Sequence, residues 1–190
     1  NRGDAQPWQI LALTFTNKAA NEMKNRLAGL SNGAWYSGDI WCGTFHSICL
    51  RILRRNANHI GLRSDFLIFG EDDQKSVIKS LITPGTKTPG DYVEEFSLIK
   101  DRGTSAFSNR DKIFCAYNAE LARLNALDFG DIILKTIELF DKNPDVLAHY
   151  QRQFKYILVD EFQDTNTAQM ELLLKLTQGI ERPNICCVGD

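Results

Sequence analysis

Four short apolar runs divide the chain, and each of the first three is followed by residues that keep helical spacing. Ile10-Leu11-Ala12-Leu13-Thr14-Phe15 reads as a buried strand. Asn17 is placed to cap a helix whose Ala20, Met23, Leu27 and Leu30 share a face, and Ser31-Asn32-Gly33 ends it. The plan repeats with a strand from Asp39 to Cys42, a turn at Gly43-Thr44, and a helix from Phe45 to Arg55 with Ile48, Ile52 and Leu53 inward. The third strand, Tyr156-Ile157-Leu158-Val159, precedes a helix rich in Met170, Leu173, Leu174 and Leu176, and the fourth runs from Ile185 to Val188. Apolar strands alternating with amphipathic helices predict an α/β fold, a parallel sheet with helices on both faces.

Between these halves the rhythm changes. From about Asp65 to Leu127 the pattern predicts helices only: Asp73 to Ile82, a second opened by Asp91 with Glu94 in a capping-box arrangement, and a third from Asn109 to Asn125. Thr83 to Gly90 is a loop by composition. Asp128 is placed to cap the next helix, and Asn143-Pro144 to start another. Residues 1–64 and 128–190 therefore form the sheet subdomain, interrupted by an inserted all-helical subdomain over 65–127.

With 190 residues, 43% of them hydrophobic, the chain is long enough for a substantial core. Its net charge of -2 requires that any contact with a polyanion be local. No apolar run approaches the roughly 20 residues that cross a bilayer. With no signal peptide, a cytoplasmic protein is expected. The five cysteines form no CxxC pair; Cys42, His46 and Cys49 are near one another in sequence, but the spacing fits no common zinc pattern. Both ends of the chain read as cuts through a longer protein.

Asp160-Glu161 directly follows the third strand. Open parallel sheets bind ligands outside the carboxyl ends of their strands, so a buried strand delivers two adjacent acids to where a nucleotide would lie. Asp160 suits Mg2+, a hard ion that prefers oxygen, and Glu161 suits the orientation and deprotonation of a water attacking a γ-phosphate. A plain acidic helix start is the competing reading of two such residues. The longer string Asp160-Glu161-Phe162-Gln163-Asp164-Thr165-Asn166 adds Gln163 and Asp164, side chains able to relay the state of a phosphate.

That string resembles the Walker B motif of UvrD/Rep-type superfamily I DNA helicases, which reads Asp-Glu-(Tyr/Phe)-Gln-Asp-Thr-Asn. Leu13-Thr14-Phe15-Thr16-Asn17-Lys18-Ala19-Ala20 is similar to the family's motif Ia, and Thr44-Phe45-His46-Ser47 to its next motif. An aromatic ring at a strand end offers a face on which an unpaired base stacks, while hydroxyls and helix N-terminal amides suit phosphate. Phe15 is the stacking candidate, with Thr14, Thr16, Asn17, Thr44, His46 and Ser47 as further DNA contacts. Asn125 to Asp131 resembles a signature in which Gly130 replaces the usual Asp, and no chemistry beyond capping and subdomain docking is assigned to it. Val188-Gly189-Asp190 matches the opening of motif III.

The resemblance covers nearly the whole chain. It implies a RecA-like motor sheet with ATP and Mg2+ as nucleotide and cofactor, and Asp160, Glu161 and Gln163 around them. It implies single-stranded DNA and single/double-strand junctions as partners, 3′ to 5′ movement, and repair proteins in repair or replication. No Gly-x-x-x-x-Gly-Lys-Thr/Ser occurs. The chain alone is therefore expected to be a weak or inactive ATPase of marginal stability. A non-catalytic DNA-binding or scaffolding module, as in helicase–nuclease subunits, is the alternative.

Overall fold

The computed structural model describes residues 5–30, 40–83, 85 and 87–190. In chain order it runs β1 (Ile10–Thr14), α1 (Asn17–Leu30), β2 (Trp41–Thr44), α2 (Phe45–Asn56), β3 (Leu67–Ile68), α3 (Glu71–Leu81), α4 (Pro89–Lys100) and α5 (Lys112–Arg123). It continues with β4 (Ala126–Leu127), α6 (Phe129–Lys142), α7 (Pro144–Gln153), β5 (Tyr156–Val159), α8 (Thr167–Thr177) and β6 (Ile185–Cys187).

The main sheet has the order β2-β1-β5-β6, and every pair is parallel. Side chains alternate across a strand. Leu11, Leu13, Trp41, Ile157 and Val159 thus join the core built by α2, α6, α7 and α8, while Ala12 and Cys42 meet Met23 of α1 on the other face. Helices on both faces explain why β1 is almost continuously apolar. Under the sheet's starting end, Trp41 packs edge-on to Phe154 at 5.2 Å, with the Arg51 guanidinium 3.8 Å from its ring centre.

The segment between the sheet halves has its own core of Ile78, Phe96, Phe114, Tyr117, Leu121 and Ala126. It is not helical throughout. The two-residue strands β3 and β4 pair in parallel at its base, Leu67 with Ala126 and Ile68 with Leu127. Pieces this short carry no period-2 signal, so the sequence pattern did not reveal them.

Helix starts differ from expectation by a few residues, each for a hydrogen-bonding reason. Thr16, not Asn17, caps α1: its hydroxyl accepts from the Ala19 N–H at 3.1 Å, and Asn17 is the first helical residue. In α4 the reciprocal cap joins Thr88 and Asp91, with the Asp91 carboxylate accepting from the Thr88 N–H at 2.7 Å and Pro89 at the first turn. The expected Asp91–Glu94 box lies one turn late. Gly43 and Thr44 belong to β2 rather than to a turn. Asp128 caps α6 through the Asp131 N–H at 2.9 Å, and Pro144 opens α7, both as expected. The stop signal at Ser31 to Gly33, Asp39, and the side chains of Leu27 and Leu30 lie outside the described residues.

Gly130 has a packing role that its motif did not disclose. A Cβ there would come within 2.7 Å of the Lys100 Cβ and 2.8 Å of its Cδ. Lys100 is buried and ion-paired, so it has little room to give. Gly130→Ala is expected to destabilise by about 1–3 kcal/mol, the usual cost of overpacking, read as a lower urea midpoint at unchanged slope.

Candidate functional site

Parallel pairing brings the carboxyl ends of β2, β1 and β5 to one side of the sheet. Thr14 is register partner to Thr44, and Leu13 to Val159. The ladder continues one step, the Asp160 N–H donating to the Leu13 carbonyl at 2.9 Å. Thr44, Thr14 and Asp160 therefore stand abreast at the ends of three neighbouring strands, so the two threonine-ended strands and the acidic turn share one sheet edge.

Asp160 is half-buried and lines an open groove with Ala19, Met23, Leu158, Cys186 and Val188. Leu158 is 41% exposed at this uncovered part of the sheet. Glu161 is exposed and takes φ 51°, ψ 46°, the left-handed region that non-glycine residues rarely adopt. That conformation turns the chain sharply off β5. Glu161 accepts a hydrogen bond from the Gln163 amide at 2.7 Å. Among the described residues neither Asp160 nor Glu161 is ion-paired to a lysine or arginine. Two uncompensated acids at a strand tip are a hard-oxygen donor set of the kind Mg2+ takes.

The segment after β6 closes on this turn. The Phe162 N–H donates to the Val188 carbonyl at 2.9 Å, and Val188 N–H to the Val159 carbonyl at 2.8 Å. Any side chain at Gly189 would collide with the Gln163 side-chain oxygen and crowd the Phe162 amide, so the glycine permits this approach. The fragment Val188-Gly189-Asp190 is thereby placed against Gln163.

The remaining sequence-selected residues divide by exposure. Phe15 is 39% exposed, and Thr16 and Asn17 are exposed with it. Thr14 has no exposed surface, and its hydroxyl donates to the Thr16 carbonyl at 3.1 Å. The direct DNA contact expected of Thr14 is not available in this arrangement; it shapes the turn that presents Phe15. Thr44 accepts from the Ser47 N–H at 3.2 Å, and the Ser47 hydroxyl donates to the Thr44 carbonyl at 2.9 Å. His46 is half-buried, its ring centre 5.4 Å from that of Phe129. Burial lowers its pKa below the ordinary histidine value while Asp101 pulls the other way, which favours a neutral ring at neutral pH. Cys42 and Cys49 pack on opposite faces of the sheet, so they cannot share a metal with His46. Burial pushes the Cys49 thiol up to about 12, that of an inert core residue.

Sequence reasoning missed a buried polar cluster behind this edge. The Lys100 ammonium lies 2.7 Å from both Asp128 and Asp131, and the Tyr117 hydroxyl donates to Asp128 at 2.9 Å. Asp128 was legible as a helix cap. Lys100, on a distant helix with no local signal, was not.

A family model for the UvrD/REP helicase N-terminal domain matches residues 1–190. The chain is 42% identical to the ATP-dependent DNA helicase PcrA of Bacillus subtilis, an alignment covering 97% of this chain and 26% of that protein. It is 41% identical to the Staphylococcus aureus PcrA, over 98% of this chain and 27% of the relative. It is 40% identical to that of Leuconostoc citreum, over 97% and 26% respectively. The chain belongs to the UvrD/REP helicase N-terminal domain family. It spans about a quarter of the length of these relatives.

Proposed function

We propose that this chain is the acid-bearing part of an ATP-driven motor that moves on single-stranded DNA, within an ATP-dependent DNA helicase. The observation that carries this reading is the alignment of Thr44, Thr14 and Asp160 at one sheet edge, which puts candidate phosphate chemistry beside candidate DNA contacts. Asp160 is the residue to hold Mg2+ with ATP. Bound there, the ion would neutralise charge on phosphate oxygens. Glu161 orients the attacking water and takes its proton, and Gln163, bonded to Glu161 and packed under Gly189, reports on the phosphate. Phe15 stacks a base, while Thr16, Asn17, Thr44, His46 and Ser47 meet the sugar-phosphate backbone. His46, as a neutral ring, serves by hydrogen bonding rather than by charge.

Residues 65–127 then act as an accessory unit on the motor formed by 1–64 and 128–190. Movement from 3′ to 5′, junction substrates and repair partners follow the same family reading. Among the described residues no helix is long and apolar enough to cross a membrane.

Hydrolysis of ATP by the complete protein, stimulated by an oligonucleotide, is the expected result. DNA binding without any turnover would favour the non-catalytic module instead. Phe15→Ala is expected to weaken oligonucleotide binding by about 1–3 kcal/mol, roughly 5- to 150-fold, while Phe15→Trp retains affinity. Equal affinity of Phe15→Ala and parent, measured by fluorescence anisotropy, would remove Phe15 from the interface.

A further inference from the structure

The segment Lys100 to Thr104 leaves the last turn of α4 and is held from two sides. On one side, Lys100 bonds Asp128 and Asp131 at the start of α6. On the other, it is held by Asn166, which caps α8, and by α8 itself, the helix that begins where the acidic string ends. The Asp101 carboxylate accepts from the Asn166 side-chain amide at 2.8 Å, and the Asp101 carbonyl accepts from the Ala168 N–H at 3.1 Å. Gly103, at φ 73°, lies so close to Glu171 that any side chain would strike its carboxylate. Thr104 donates its N–H and its hydroxyl to the two Glu171 oxygens, at 2.8 and 2.7 Å.

Asn166 is the hinge of this arrangement. Its side-chain oxygen caps α8 by accepting from the Gln169 N–H at 2.9 Å, and its amide nitrogen is committed to Asp101. It is also tied to the acidic turn by a tight backbone path: Asp164 N–H donates to the Glu161 carbonyl at 3.0 Å, and Thr165 N–H to the Phe162 carbonyl at 3.1 Å. A shift of the Glu161 loop thus reaches Asn166 with little slack. His46 meets the same segment through the start of α6: its ring centre lies 5.4 Å from that of Phe129, the residue after Asp128, which Lys100 bonds at 2.7 Å. The Lys100–Thr104 segment therefore sits between the end of the acidic string, a candidate DNA contact and the helical insert.

We propose that Asp101 is a positioning residue through which the acidic turn governs His46 and the insert, with the Asn166–Asp101 hydrogen bond as the joint. This rests on the motor reading above and adds to it a specific route. Coupling between sites requires an element that both sites bias, and the Lys100–Thr104 segment, bonded to α6 and α8 together, is that element.

The test measures, in the complete protein that carries this chain, the affinity for a fluorescent oligonucleotide with and without a non-hydrolysable ATP analogue. The ratio of the two affinities is the coupling. Asn166→Asp keeps the α8 cap but sets a carboxylate against Asp101, and Asp101→Ala removes the acceptor without adding charge. Each is expected to bring the ratio at least about fivefold closer to one, the lower edge of ordinary coupling between sites. The exchange D101N/N166D, which restores a donor facing an acceptor, is expected to return the parental ratio. A purely structural staple would move the melting temperature and leave the ratio alone. An unchanged ratio in Asp101→Ala, in a protein that still hydrolyses ATP, overturns this inference by itself. A parent protein without ATP turnover overturns the motor reading, and the inference with it.

Discussion

Glu161→Gln in the complete protein is expected to bind nucleotide and DNA as the parent does while turning ATP over at least about a hundredfold more slowly. Positioned general bases contribute about 10²–10⁴ in rate, and an amide of the same shape cannot take the proton. The local geometry favours a clean reading. Glu161 is exposed, its turn is fixed by backbone hydrogen bonds, and its only described side-chain partner is the Gln163 amide at 2.7 Å. The substitution therefore removes a charge at the strand tip without disturbing the core. Steady-state phosphate release beside equilibrium nucleotide binding separates the two effects. Turnover within a few-fold of the parent would remove Glu161 from the chemistry.

Lys100→Met is expected to cost about 3–5 kcal/mol of folding stability, the usual penalty for leaving buried charge without its partner. The Lys100 side chain is 2% exposed and faces two nearly buried carboxylates. Burial works against its ammonium, yet Asp131 and Asp128 outweigh that and hold its pKa above the ordinary lysine value. The Asp131 carboxyl is pushed up by its own burial against the pull of Lys100, so without the lysine two acids would face each other in the interior. Adding Asp131→Asn to Lys100→Met should return part of the loss, because one of the two stranded charges goes with it. Urea denaturation of the three proteins decides this, and a midpoint unmoved by Lys100→Met would contradict the buried-pair reading.

How far the sequence led depends on the kind of signal. β5 was legible to the residue because four apolar positions stop at two acids, and the Asp128 cap and Pro144 start were legible because each is a local hydrogen-bonding or backbone preference. Caps with two nearby candidates were misplaced by one residue at Thr16 and by one turn at Thr88, since Thr, Asn and Asp all satisfy a free helix N–H. The β3–β4 pair was invisible because its partners lie far apart in sequence and span two residues each. The acidic string and the two threonine-bearing motifs were visible as strings. Their meeting at one sheet edge depended on strand order, which no single string encodes. The same holds for Asp101 and Lys100, ordinary residues at a helix end whose partners are supplied by α6 and α8.

Manganese binding reports most directly on whether the tip of β5 is the metal and phosphate end of a motor. Titrated by electron paramagnetic resonance into the complete protein with an ATP analogue, Mn2+ is expected to bind the parent at least about tenfold more tightly than Asp160→Asn, as expected when a ligating carboxylate is removed. Mn2+ bound equally well by both proteins would contradict the placement of metal-assisted ATP hydrolysis at Asp160.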